Sequence, residues 1–131
     1  MSEFAWLTRV YWEDTDAGGV VYYANYLKFL ERARTEWLRA RGLSQWQIAN
    51  EHAVLFTVVD VEIRYRKAAR LDDELRVTCV PRPEGRVTVW FDQQIRRGDE
   101  LLAEAAVRVA CVQAATFRPC AVPDFIAKEF R

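Results

Sequence analysis

Glu13-Asp14-Thr15-Asp16-Ala17-Gly18-Gly19-Val20-Val21-Tyr22-Tyr23-Ala24-Asn25-Tyr26 is the stretch on which the reading of the chain turns. A β-branched and aromatic segment, Thr8 to Trp12, ends at it and reads as a first strand. A helical period begins where it stops. Tyr26, Leu30, Ala33 and Trp37 recur at i, i+4, i+7 and i+11, and Leu27 and Leu38 widen that apolar stripe. Lys28, Glu31, Arg32, Arg34, Glu36 and Arg39 occupy the other side, where pairs such as Glu31 with Arg34 read as a solvated or intersubunit surface. Arg39 and Arg41 suit the negative end of the helix dipole, and Gly42 suits the residue just past the helix. Ser44-Gln45-Trp46-Gln47 then has the spacing of a capping box that opens a second, short helix.

Further along, the period changes from helix to strand. Val59, Val61, Ile63 and Tyr65 alternate with Asp60, Glu62, Arg64 and Arg66. The same alternation runs through Leu75 to Cys79, Val87 to Asp92 and Ala103 to Cys111. Turn signals separate these runs at Leu71-Asp72-Asp73, Pro83-Glu84-Gly85 and Arg97-Gly98-Asp99. Connections this short predict an antiparallel meander, because parallel strands need long crossovers. A last short helix is expected after Pro123. The predicted architecture is α+β: one domain over residues 1–131, a long helix against an antiparallel sheet of five strands. One helix covers little of such a sheet, so the free face or an edge strand is expected to pair with a second copy.

Composition narrows the chemistry. Nineteen basic and nineteen acidic residues cancel, which argues against nucleic acid and against a polybasic membrane anchor. Apolar runs are too short to span a membrane, and no secretory signal opens the chain, so a cytoplasmic protein is expected. Cys79, Cys111 and Cys120 lack the C-x-x-C spacing of zinc and redox sites and read as buried thiols. The sole histidine, His52, has no cluster of ligands around it, so no metal is expected. A serine triad is equally short of parts: Ser44 reads as a helix cap, Ser2 lies at the terminus, and no G-x-S-x-G elbow exists.

Carboxylates remain, and Asp14 and Asp16 lie between a strand and the start of a long helix. Gly18 and Gly19 allow a tight turn or a close approach of backbone to ligand. Unpaired N–H groups at the helix start can donate to a developing negative charge, opposite a carboxylate acting as nucleophile or general base. The same residues also make an ordinary acidic turn, in which Asp side chains bond nearby backbone N–H groups. The residue types alone leave both readings open.

The run Arg9 to Tyr22, followed by Tyr26, Phe29, Glu31 to Glu36 and Leu38-Arg39, resembles the hotdog-fold acyl-CoA thioesterases. It is most similar to the Tol–Pal-associated branch of the 4-hydroxybenzoyl-CoA thioesterase family. Arg70-Leu71-Asp72-Asp73 and the ending from Arg118-Pro119 to Val122-Pro123 also look similar, so the likeness extends from Arg9 to Phe130. The resemblance implies a hotdog fold, with a long central helix wrapped by the sheet. It implies sheets joined edge to edge into a homodimer, often a homotetramer. The implied activity is hydrolysis of an acyl-CoA thioester to a carboxylic acid and CoA, without a cofactor. It maps the catalytic carboxylate onto Asp16, as nucleophile or base, and the oxyanion donor onto the backbone N–H of Tyr23. Asp14 is then a loop organiser, and Gly19 and Val20 are expected substrate contacts. The Tol–Pal-associated branch often has His at the position of Tyr23. The hydroxybenzoyl branch has Tyr there and Asn at the position of Asn25, so the difference bears on acyl preference rather than on the backbone contact. By position, Arg86 and Arg118 are candidates for the CoA phosphates, although each also reads as a solvated arginine. A hotdog dehydratase needs His beside an acid, and His52 lies outside the matching stretch. The alternative from another class is a non-catalytic module binding acyl-CoA or an acyl carrier protein.

Overall fold

A computed structural model describes residues 3–131; Ser2 lies outside the described residues. β1 (Ala5–Arg9) leads through a 3₁₀ turn at Trp12–Asp14 and a loop to a second 3₁₀ turn, Tyr23–Asn25, which runs directly into α1 (Tyr26–Ala40). α2 (Gln45–His52) follows, then β2 (Val54–Tyr65), β3 (Glu74–Thr78), β4 (Val80–Glu84), β5 (Thr88–Arg97), β6 (Glu100–Gln113) and the single turn α3 (Asp124–Ala127). Ser44 caps α2, its Oγ accepting from Gln47 N at 3.3 Å, but the reciprocal bond of the predicted capping box, from Ser44 N to the Gln47 side chain, does not form among the described residues.

All pairings are antiparallel, in the order β1-β3-β5-β6-β2, and β4 also lies along β5. The sheet therefore has six strands where five are predicted. Glu74–Glu84 breaks at Cys79 into two pieces that follow one another along β5. β4 carries Pro81 and Pro83, which cannot donate to a ladder, and it stands at an edge, where such residues are tolerated. The meander holds only from β3 to β6. β1 and β2, which flank the helices in sequence, join opposite sides, β1 on β3 and β2 on β6. The first strand also ends three residues short of its predicted limit, because Trp12–Asp14 coils into the 3₁₀ turn.

α1 buries Tyr26, Phe29, Leu30, Ala33, Trp37 and Leu38 against the sheet. Leu27, predicted on this stripe, is exposed, and Phe29 takes the buried place beside Leu30. Trp37 stacks on Phe130 at 5.6 Å and meets Phe91 edge-on at 5.9 Å, so the C-terminal turn closes the core over the helix. One polar cross-tie spans this interface. Gln93, buried on β5, donates to the Leu30 carbonyl at 3.0 Å and accepts from Arg34 at 3.1 Å. Burial lowers the Arg34 pKa from its ordinary value, and Cys79 and Glu31 oppose that shift.

On β2 the predicted half-buried alternation does not appear. Val58, Val59, Val61 and Tyr65 are all exposed, and a bulge lies between Val58 and Asp60. These side chains belong to an edge strand with no neighbour on its outer side in the protomer.

Candidate active site

The acidic loop folds into a small hairpin. Asp16 N donates to Val20 O at 2.9 Å, Gly19 N to Asp16 O at 3.0 Å and Tyr22 N to Asp14 O at 3.1 Å, with Thr15 bridged to Val21. Its second arm docks on the segment before β3: Val20 bridges Arg70, and Val21 N donates to Ala69 O at 2.8 Å. That segment is itself fastened. Asp73 Oδ2 accepts from Arg70 N at 2.8 Å and from Arg97 Nη1 at 2.7 Å. The buried Tyr26 hydroxyl accepts from Ala69 N at 2.9 Å.

The two aspartates have different roles in this hairpin. Asp14 is buried; its Oδ2 accepts from Tyr11 N at 2.8 Å, and its carbonyl accepts from Tyr22 N and from Asn25 Nδ2. It organises the loop, as the sequence leads one to expect. Asp16 is exposed, and its carboxylate bonds only Gly18 N, at 2.8 Å among the described residues. One carboxylate oxygen thus remains free for chemistry.

At the helix entrance the N–H groups of Tyr22 and Asn25 are used, the first by Asp14 O and the second by Tyr22 O. Those of Tyr23 and Ala24 meet no acceptor among the described residues. Two adjacent free donors therefore stand at the positive end of α1, on the chain that continues from the Asp16 hairpin. Tyr22, Tyr23 and Tyr65 rim this entrance; the Tyr23 and Tyr65 rings meet edge-on at 6.3 Å, and Tyr65 Oη donates to Tyr23 O at 2.9 Å. Such a constellation can hold an acyl carbonyl oxygen on backbone N–H groups and present a carboxylate to its carbon or to a water.

Asp16, Gly19, Val20 and Tyr23 thus share one loop, with open space beside Gly19. Arg86 and Arg118 do not join them in the protomer. Arg86 O accepts from Val122 N and Arg118 O from Gln113 N, near the end of β6, whereas Tyr65 pairs with Ala103 near its start. Ala103 and Gln113 are separated by roughly 33 Å of strand. His52 is equally remote, closing α2 with its ring 4.4 Å from Phe125. No cysteine lies in the loop, and no group of three or more His, Cys, Asp or Glu among the described residues could hold a metal. No helix among them is long and apolar enough to cross a membrane. Sequence reasoning missed Tyr65, Ala69 and the Asp73–Arg97 pair, which reach the loop from positions far along the chain.

A profile of the thioesterase-like superfamily matches residues 10–130. The acyl-CoA thioesterase YbgC of Haemophilus influenzae is 44% identical over 128 residues, covering 97% of this chain and 93% of that protein. The acyl-CoA thioester hydrolase YbgC of Escherichia coli O6:H1 is 43% identical over 129 residues, covering 98% and 96%. Among solved structures, a probable thioesterase from Bartonella henselae superposes with a TM-score of 0.88 at 31% identity, covering 93% of this chain and all of that one. The 1,4-dihydroxy-2-naphthoyl-CoA thioesterase Slr0204 from Synechocystis superposes with a TM-score of 0.91 at 24% identity, covering 98% and 96%, a likeness of fold. With a long helix clasped by an antiparallel sheet and a match over nearly its whole length, the chain belongs to the thioesterase-like superfamily and has its hotdog fold.

Proposed function

We propose that the protein hydrolyses acyl-CoA thioesters to a free carboxylic acid and CoA, with Asp16 as the catalytic carboxylate and the Tyr23 N–H as oxyanion donor. The observation that carries this reading is the pairing on one hairpin of an exposed, singly bonded Asp16 with free N–H groups at the helix start. Asp14, by contrast, is buried and consumed by the loop. The names of the YbgC relatives supply the substrate class.

A thioester carbonyl seated at the helix start would accept from Tyr23 N–H, and negative charge growing on its oxygen would gain from the helix dipole. Asp16 then acts in one of two ways. As nucleophile, its oxygen bonds the carbonyl carbon, the C–S bond breaks to release CoA thiolate, and water hydrolyses the resulting anhydride. As general base, it removes a proton from a water that attacks the same carbon directly. Both routes consume one water and yield one acid and one thiol. Gly19 and Val20 flank the reacting group, where a side chain at Gly19 would meet nothing within 4 Å.

The working unit is proposed to be a dimer formed by antiparallel pairing of two β2 edges, which stacks into a tetramer. A twofold axis at the middle of β2 lays the Val54 end of one copy beside the Tyr65 end of the other. Val54 pairs with Gln113, whose N–H bonds Arg118 O, so the partner's Arg118 approaches the Asp16 loop and can meet CoA phosphates. Arg86 is the second candidate on that side.

Thiol release tests the catalytic assignment, measured on short aliphatic, long aliphatic and aromatic acyl-CoAs. Asp16→Asn should lower kcat about a hundred- to ten-thousandfold on the preferred substrate while thermal unfolding is unchanged. Hydrolysis at the parental rate by the folded variant would remove Asp16 from the mechanism. Tight CoA binding with no thiol release from any substrate would favour a binding module instead.

A further inference from the structure

We infer that Tyr65 is a positioning residue for this hydrolysis: its hydroxyl, 2.9 Å from the Tyr23 carbonyl, fixes the turn that presents the oxyanion donor. The inference rests on the function proposed above.

The entrance to α1 is held at its two ends by its own loop. Tyr22 N and Asn25 Nδ2 both bond Asp14 O, and Asn25 N bonds Tyr22 O. Between these points the Tyr23–Ala24 peptide is gripped from the sheet through Tyr65. The carbonyl and the following N–H lie antiparallel in one rigid plane. A hydroxyl bound to the Tyr23 oxygen therefore turns Ala24 N–H to the opposite side and polarises it, since hydrogen bonds in series strengthen one another. It also restrains ψ of Tyr23 and φ of Ala24, the two dihedrals flanking that plane, and through ψ limits how the Tyr23 N–H can turn relative to it. A peptide free to rock would have to be ordered each time charge develops on the substrate, and preorganised donors avoid that cost.

Tyr65 is built to hold still. Its backbone pairs with Ala103 of β6, and its ring meets Tyr26 edge-on at 5.2 Å and Tyr23 at 6.3 Å. Tyr26 is in turn locked by the bond from Ala69 N. Partial burial and the neighbouring Tyr26 and Tyr23 hydroxyls push the Tyr65 pKa above its ordinary value, so the group remains a protonated donor at neutral and mildly alkaline pH. A packing role would need the ring alone; the positioning role needs the oxygen.

Tyr65→Phe separates the two. In the full-length protein, on the preferred acyl-CoA, kcat should fall about tenfold with KM held within about twofold. Because Tyr65 is an exposed residue and the variant keeps its ring, Tm should stay within about 2 °C of the parent. Tyr65→Ala should lose at least as much kcat and also lose Tm. An unchanged kcat in Tyr65→Phe would overturn the inference, as would a fall in kcat matched by a large fall in Tm. Asp16→Asn measured alongside keeps the failures apart. If Asp16→Asn is inactive while Tyr65→Phe is normal, only the role of Tyr65 is lost. If the parent releases no thiol, or Asp16→Asn is fully active, the proposed function fails.

Discussion

Gly18 and Gly19 constrain Asp16 in different ways, and their substitutions should separate catalysis from stability. A Cβ at Gly18 would lie 3.2 Å from Asp16 Oδ1, so the carboxylate must shift by a few tenths of an ångström or break its bond to Gly18 N. A Cβ at Gly19 meets nothing, but the backbone there has φ +77, a left-handed conformation costing an L residue about 1–2 kcal/mol. Gly18→Ala should therefore lower kcat about tenfold or more with little change in Tm, since misplacing a reacting group is expensive in rate. Gly19→Ala should show the larger loss in denaturant titration. Equal losses of stability in both would remove the special relation of Gly18 to Asp16. The residue types of this loop left an acidic turn and a reactive carboxylate both open in sequence, and only the resemblance separated Asp14 from Asp16; the fold adds that Asp14 is buried and bonded while Asp16 is exposed. Tyr65 was not legible. It lies 42 positions from Tyr23, and their contact exists only because β2 pairs with β6 and carries its last residue to the helix entrance.

At the scale of elements, patterns written along one segment were readable and those depending on a distant neighbour were not. The α1 stripe and the Ser44 cap emerge from periodicity and spacing alone. β4 escaped notice because Pro81 and Pro83 argue against a strand until its edge position is known. The placement of β2 beside β6 depends on chain geometry around the helix, which alternation does not encode. The cysteines show how element placement sets reactivity. Cys79 sits buried where β3 passes into β4, and burial pushes its thiol up to about 12, against the pull of Arg34 and Arg41. Cys111, buried on β6, is also pushed up to about 12, chiefly by burial and then by its contact with Cys120, whose Sγ is 3.7 Å away. At pH 8 such thiols are on the order of one part in ten thousand thiolate, the reactive form. Cys120, on the segment after β6, is only partly buried, the least buried of the three cysteines. Native protein treated with a maleimide at pH 8 should therefore take up one equivalent quickly, at Cys120, and the other two only on unfolding. Mass spectrometry locates the label, and rapid labelling of Cys79 would contradict its burial.

For the whole molecule, the two sides of the sheet are finished differently, and that difference predicts assembly. On one side the sheet ends in the five-residue β1, beside β3, and in β4, where Pro81 and Pro83 flank Arg82 and discourage another strand from adding. On the other, β2 presents twelve residues, about 40 Å of open edge, without a proline and with Val58, Val59, Val61 and Tyr65 exposed. A long edge free of proline, with apolar side chains exposed beside its bulge and charged residues, offers a surface for pairing. The proposed twofold pairing at this edge would return Arg118 from the far end of β6 to an Asp16 loop, so assembly and CoA binding should fail together. The double variant Val59→Asp with Val61→Asp should elute as a monomer with an unchanged far-ultraviolet circular dichroism spectrum and lose most thioesterase activity. Like charges would then face each other across the axis, and apolar cover would be lost. Arg118→Ala should leave the dimer intact and raise KM for acyl-CoA several-fold with little change in kcat, the mark of a contact made equally in ground and transition states. Light scattering coupled to size exclusion reads the first result, and substrate titration the second. A parent protein that is monomeric and fully active would sink both expectations, and would require CoA phosphates to be met by basic residues of the same protomer.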